Sequence, residues 1–119
     1  MEQKKVLLDT NFILSCIRNK IDFFEEIFLM GIQIIIPKEV IREIEKFKDK
    51  KTEANLALNL LKKSKFDKIT LGKGHVDKRI LDYANLHSKL IIATLDKEIK
   101  KKTDNPKLII RGKKKLEIL

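Results

Sequence analysis

The sequence predicts an α/β fold: a three-layer α/β/α arrangement with a mostly parallel central sheet. Three observations predict it. Short runs that are apolar throughout alternate with longer segments whose apolar residues recur at helical spacing. The short runs do not alternate apolar with polar, so each reads as a strand buried on both faces, as in a parallel sheet covered by helices. Acidic residues stand where these strands end or the next helix begins, and in such folds the carboxyl ends of the strands open on the ligand crevice.

Residues 5–9 (KVLLD) form the first expected strand, and residues 10–18 follow as a helix with Phe12, Ile13, Cys16 and Ile17 in register. Asp22, with Glu25 three positions on, has the pattern of a capping pair starting a short helix that ends near Met30 and Gly31. Residues 32–36 are a buried strand stopped by Pro37. Residues 38–48 return to helical period through Val40, Ile41, Ile44 and Phe47. Residues 50–65 form a further helix with Leu56, Leu60 and Leu61 expected inward.

A short strand is expected at 69–71, before the loop Gly72-Lys73-Gly74. Residues 76–88 are helical, with Ile80, Tyr83, Ala84 and His87 on the inward side, and His87 reads as a packed core residue. A central strand at 90–94, a short helix at 97–102, a strand at 108–111 and an edge segment at 116–119 complete the order.

The 119 residues are expected to form a single domain, residues 1–119, with one two-sided core. Two Pro and four Gly leave no sign of linkers. Cys16 is the one cysteine, which excludes an internal disulfide and reads as a small buried hydrophobe. No stretch approaches the ~20 apolar residues of a membrane span, and no signal sequence opens the chain, so the expectation is a cytoplasmic protein. The net charge of +10 thickens into lysine runs at 62–65, 100–102 and 113–115 and favours a phosphate-rich partner. With aromatic residues at 6%, base stacking is expected to be minor.

Four acids carry the candidate chemistry: Asp9, Glu43, Asp77 and Asp96. Singly, each has a bland reading. Asp9, Asp77 and Asp96 suit helix N-caps, and Glu43 suits a surface pair with Lys46. Jointly they would crowd one crevice, and carboxylates held together repel unless a cation intervenes. Mg²⁺ or Mn²⁺, which take carboxylate and water oxygens, would serve. Periodicity does not choose between Glu39 and Glu43, one turn apart. His75 and His87 are too isolated to read as bases, and Asp82 reads as exposed.

These blocks resemble the PIN domain family, the nuclease fold of rRNA-processing factors and of VapC-type toxins. VLLDTNFIL resembles the family's opening strand with its Asp-Thr-Asn signature. In IPKEVIREIEKF, Val40 precedes the family glutamate by three positions, which selects Glu43. VDKRILDYA supplies Asp77, and IIATLDKEIKKK supplies Thr94 and Asp96. The resemblance implies a ribonuclease whose Asp9, Glu43, Asp77 and Asp96 bind Mg²⁺ or Mn²⁺, with Asn11 and Thr94 orienting them from behind. Arg79, Lys97 and Lys100 would hold RNA phosphates.

RNA, single-stranded or an rRNA precursor, is the implied substrate. An antitoxin, a ribosome-assembly protein and a second copy of the chain are the protein partners that the family allows. The segment EVIREIEKFKDKKTEANLALNLLKK is closer to archaeal rRNA-processing relatives. A toxin role and a catalytically silent RNA-binding module remain the alternatives. One departure is Lys78 after Asp77, where many processing-type relatives carry an acidic pair.

Overall fold

The computed structural model describes residues 3–119. Strand β1 (Lys5–Leu8) leads into α1 (Thr10–Arg18) and α2 (Phe23–Leu29). Then come β2 (Gln33–Pro37), α3 (Lys38–Lys46), α4 (Thr52–Lys63), β3 (Asp67–Ile69) and α5 (Val76–Leu86). The chain closes with β4 (Ile91–Ala93), α6 (Lys97–Lys102), β5 (Lys107–Arg111) and β6 (Lys115–Ile118). The six strands form one sheet in the order β3-β2-β1-β4-β5-β6. All neighbours run parallel except the β5–β6 pair, an antiparallel edge.

The expected three-layer architecture is the observed one. Val6, Leu7 and Leu8 of β1 are fully buried, because successive side chains point to opposite faces and both faces are covered. Val6 and Leu8 join the larger core cluster with α1 to α4, whereas Leu7 packs with Ile35, Ile80, Ala84, Ile92 and Ile99 beneath α5 and α6. Each such apolar side chain contributes about 1.5–3 kcal/mol on burial.

The chain builds β1, β2 and β3 outward in one direction, then returns to place β4 on the other side of β1. The register Leu8↔Ala93 brings the ends of β1 and β4 level. Asp9 extends the pairing by donating its N–H to the Ala93 carbonyl at 3.0 Å. The carboxyl ends of these two adjacent strands form the point where strand order reverses, the usual place for a site in an open α/β sheet.

Three details depart from the sequence reading. Leu56 is 52% exposed, since α4 packs through Ala54, Ala57 and Leu61 instead; α4 therefore meets the core through small residues. His87 is exposed rather than packed. Helix α5 stops at Leu86, and at its C-cap the His87 ring lies 4.3 Å from that of Tyr83. The third strand falls at Asp67–Ile69, pairing Ile36↔Lys68 and Pro37↔Ile69, because this edge strand is polar and carries no apolar signal. Among the described residues, no helix is long and apolar enough to cross a membrane.

Candidate active site

Asp9 is the buried centre of the crevice, at 4% exposure. It leaves β1 in extended conformation and serves as N-cap of α1, its Oδ1 accepting from the Thr10 amide at 2.8 Å. The other oxygen, Oδ2, accepts from the Thr94 hydroxyl at 2.9 Å. Both bonds favour the ionised form, yet Asp9 is pushed up from 3.8 to about 6. Burial is the largest cause, and the negative charges of Asp77 and Glu43 add to it.

Thr94, buried just past β4, joins two acids. While donating to Asp9, its oxygen accepts the Asp96 amide N–H at 3.1 Å. Asp96 in turn caps α6, with Oδ1 accepting from Glu98 N at 2.8 Å and Ile99 N at 3.4 Å. The capping reading therefore holds for Asp9 and Asp96, and their second oxygens or remaining lone pairs are what a ligand would meet. It does not hold for Asp77. Helix α5 is preceded by His75 as N-cap, and Asp77 stands in its exposed first turn.

Asp77 titrates above the ordinary carboxyl range, through partial desolvation first, then the charge of Asp96 and a hydrogen bond with it, then Glu43. His75 opposes the rise. Glu43 projects half-buried from α3 and acts on both Asp9 and Asp77. Four acids from four segments thus share one electrostatic neighbourhood. Among the described residues none of the four is ion-paired with Lys or Arg.

Glu39 separates from this group. Its carboxylate accepts the Leu71 amide at 3.0 and 3.2 Å and the Gly72 amide at 3.2 Å, bridging α3 to the turn after β3. Desolvation pulls its pKa up, but these backbone bonds outweigh it, and the group sits below the ordinary range. The periodicity of α3 could not divide Glu39 from Glu43; their tertiary partners do. Glu39's place in this turn carried no readable sequence signal, because it depends on how the 71–75 loop folds.

Asn11 is exposed in the first turn of α1. Lys97 is exposed and Lys100 half-buried on α6, the helix that Asp96 caps. Arg79 is half-buried and pairs with Asp82 at 3.4 Å, so part of its charge is already engaged. A groove of about 970 Å³ lies elsewhere. Lys5, Ile91, Pro106, Tyr83 and His87 line it near the opposite ends of the strands, and none of the four acids borders it.

A divalent cation fits the acids by donor chemistry and by charge. The donors are all carboxylate oxygens, suited to Mg²⁺ or Mn²⁺ rather than to a soft metal. Burial is the main reason Asp9 and Asp77 sit above the ordinary range, with the neighbouring carboxylates adding to it, and a bound cation would favour the charged form of both. Among the described residues, no three Asp, Glu, His or Cys side chains are already closed into a metal-holding group.

A family model described as a PIN like domain matches residues 6–113. The protein "Ribonuclease VapC4" of Methanocaldococcus jannaschii is 34% identical over 125 aligned positions, covering 96% of this chain and 95% of its own length. Among solved structures, the PIN domain endonuclease Utp24 matches with a TM-score of 0.81 at 26% identity, over 96% of this chain and 90% of that one. With the family match spanning most of the sequence and a relative aligned nearly end to end, the chain belongs to the PIN-domain family of nucleases.

Proposed function

We propose that this protein is a metal-dependent endoribonuclease that hydrolyses RNA phosphodiester bonds with Mg²⁺ or Mn²⁺. The observation that carries the reading is the shared neighbourhood of Asp9, Glu43, Asp77 and Asp96 at the carboxyl ends of β1 and β4, with Asp9 and Asp77 held above their ordinary pKa. The relationship to a protein named as a ribonuclease and the likeness to an endonuclease support RNA as the substrate.

In this reading the four carboxylates hold the ion or ions. A bound divalent ion supplies Lewis acidity, lowering the pKa of water and offsetting charge on the scissile phosphate. The residues of the chain supply orientation. Thr10 and Thr94 fix both oxygens of Asp9, so the buried carboxylate cannot turn away from the crevice. The Glu98 and Ile99 amides both donate to Oδ1 of Asp96 and fix that one oxygen. Thr94 orients the acids from behind, exposed Asn11 orients water at the mouth of the crevice, and Lys97, Lys100 and the unengaged part of Arg79 hold backbone phosphates on the rim.

Cleavage of labelled RNA with Mn²⁺ tests the reading, comparing the chain with Asp9→Asn and Asp96→Asn. Strong loss in both variants is the expected result. Equal cleavage by all three proteins rejects the chemistry, and absence of cleavage by any form supports a silent RNA-binding module instead.

Two cellular settings suit the same chemistry. The resemblance of the α3–α4 region to rRNA-processing proteins supports RNA maturation, with ribosome-assembly proteins as partners. The near full-length relationship to VapC4 supports a toxin restrained by an antitoxin. Crosslinking the protein to RNA in its own cells separates them: precursor rRNA junctions favour the first, tRNA anticodon loops the second.

A further inference from the structure

We propose that Glu39 is a positioning residue, clamping the Leu71–Gly72 turn to α3 and thereby holding Asp77 opposite Glu43. The inference rests on the metal-nuclease reading above and adds a residue to it. Glu39 and Glu43 lie one turn apart on the same helix, so the clamp and a candidate ligand share one rigid element. The Glu39 carboxylate receives both the Leu71 and Gly72 amides. A charged acceptor gathering backbone N–H groups makes a strong, directional attachment.

The segment that follows needs such an attachment. Between Gly72 and Asp77 the chain turns through Gly72 at φ +107 and Gly74 at φ +114, a backbone region that other residues enter only with strain. Two glycines in five residues leave the turn free to wander unless it is tied down. Glu39 ties its entry. At its exit α5 begins, with Arg79 donating its backbone N–H to the carbonyl of the N-cap His75 at 3.1 Å, the first hydrogen bond of the helix. Asp77 stands in that first turn of α5.

The elements at the site connect the two sides. Asp77 comes from the first turn of α5, Glu43 from α3 and Asp96 from the N-cap of α6, so where the 72–75 turn delivers α5 decides how these three segments meet. Asp9 and Asp96 are fixed by Thr94 and the β1–β4 register. Asp77 reaches the crevice from the start of α5, directly after the 71–75 loop, and Glu39 is the group that anchors that loop to the helix carrying Glu43.

The test compares the wild-type chain with Glu39→Ala and Glu39→Gln. Metal-free amide exchange is followed by NMR, and Mn²⁺ binding by paramagnetic broadening. Glu39→Ala is expected to speed exchange at Leu71 and Gly72, shift the amides from 71 to 77, and weaken Mn²⁺ binding by about tenfold, in the range that supporting residues of metal sites show. Glu39→Gln keeps a carbonyl acceptor and is expected to recover much of the loss. RNA cleavage should fall mainly in kcat in the alanine variant, with KM little altered.

Unchanged exchange at Leu71 and Gly72 in Glu39→Ala overturns the clamp. So does faster exchange with Mn²⁺ binding and kcat as in wild type. If the wild-type chain shows no saturable Mn²⁺ broadening at the acids, the metal reading fails, and the clamp is then judged by whether the shifts reach Asp77.

Discussion

The Thr94 hydroxyl donates to Asp9 Oδ2 at 2.9 Å and accepts the Asp96 amide at 3.1 Å, so one side chain spans the ends of β1 and β4. The sheet register alone brings the two strand ends level; Thr94 turns that proximity into a fixed relation between two acids. Replacing it separates geometry from bulk. Thr94→Val leaves the buried Asp9 short of its side-chain donor, and a loss of about 1–3 kcal/mol in denaturant unfolding is expected. Cleavage should fall by about 10- to 100-fold, as for other groups that orient metal ligands. Thr94→Ser retains the hydroxyl and should stay close to wild type in both measurements.

Asp9 makes the metal-free protein sensitive to pH in a particular direction. Its folded value near 6 lies above the ordinary 3.8, so the folded chain binds this proton more tightly than the unfolded chain. The associated stability is complete below the unfolded value and is lost as pH rises through about 6. A shift of this size corresponds to on the order of 3 kcal/mol. In chelator at neutral pH, Asp9→Asn should therefore melt above wild type, and the gap should close in acid. Addition of Mn²⁺ should raise the wild-type melting temperature and leave Asp9→Asn nearly unmoved, since binding to the folded state alone at about 100 times Kd contributes about 2.7 kcal/mol.

Asp96 has two roles that one pair of variants can separate. As N-cap it accepts the Glu98 and Ile99 amides, and asparagine caps helices about as well as aspartate. Asp96→Asn should keep the stability of wild type yet lose cleavage. Asp96→Ala should lose cleavage and also about 1 kcal/mol of stability. Retained cleavage in Asp96→Asn would confine this residue to capping.

The lysines of α6 should act through phosphate contact. Lys97→Ala and Lys100→Ala are each expected to weaken RNA binding without regard to sequence and to lower the salt-dependence slope by about one. Arg79→Ala should have a smaller effect, because Asp82 already engages that guanidinium. Filter binding across a salt series reads all three.

The layered fold was legible in the sequence because its strands are short, apolar throughout and separated by helical periods. Val6, Leu7 and Leu8 announce burial on both faces, and so do Ile34, Ile35 and Ile36. What escaped lies where apolar content does not decide. The edge strand β3 contains exposed Asp67 and Lys68 and is held by pairing to β2 and by Gln33 donating to Asp67. Leu56 faces out since alanines let α4 approach closely, and His87 falls outside α5 because the helix ends one residue earlier.

Of the site, the positions of Asp9 and Asp96 followed from strand ends, whereas Glu43 was separated from Glu39 by resemblance alone. In the fold, Glu39 is engaged by the Leu71 and Gly72 amides, whereas the charge of Glu43 adds to the rise at Asp9 and Asp77. Helical spacing cannot carry that distinction, because both residues share an edge of α3 and differ only in what another segment brings to them.

Anomalous diffraction from crystals soaked in Mn²⁺ tests the shared acid site most directly. A strong peak bounded by carboxylate oxygens of Asp9, Asp96 and at least one of Glu43 and Asp77 is the expected result. Saturating Mn²⁺ with no peak there, or with the ion bound only at another surface, contradicts it.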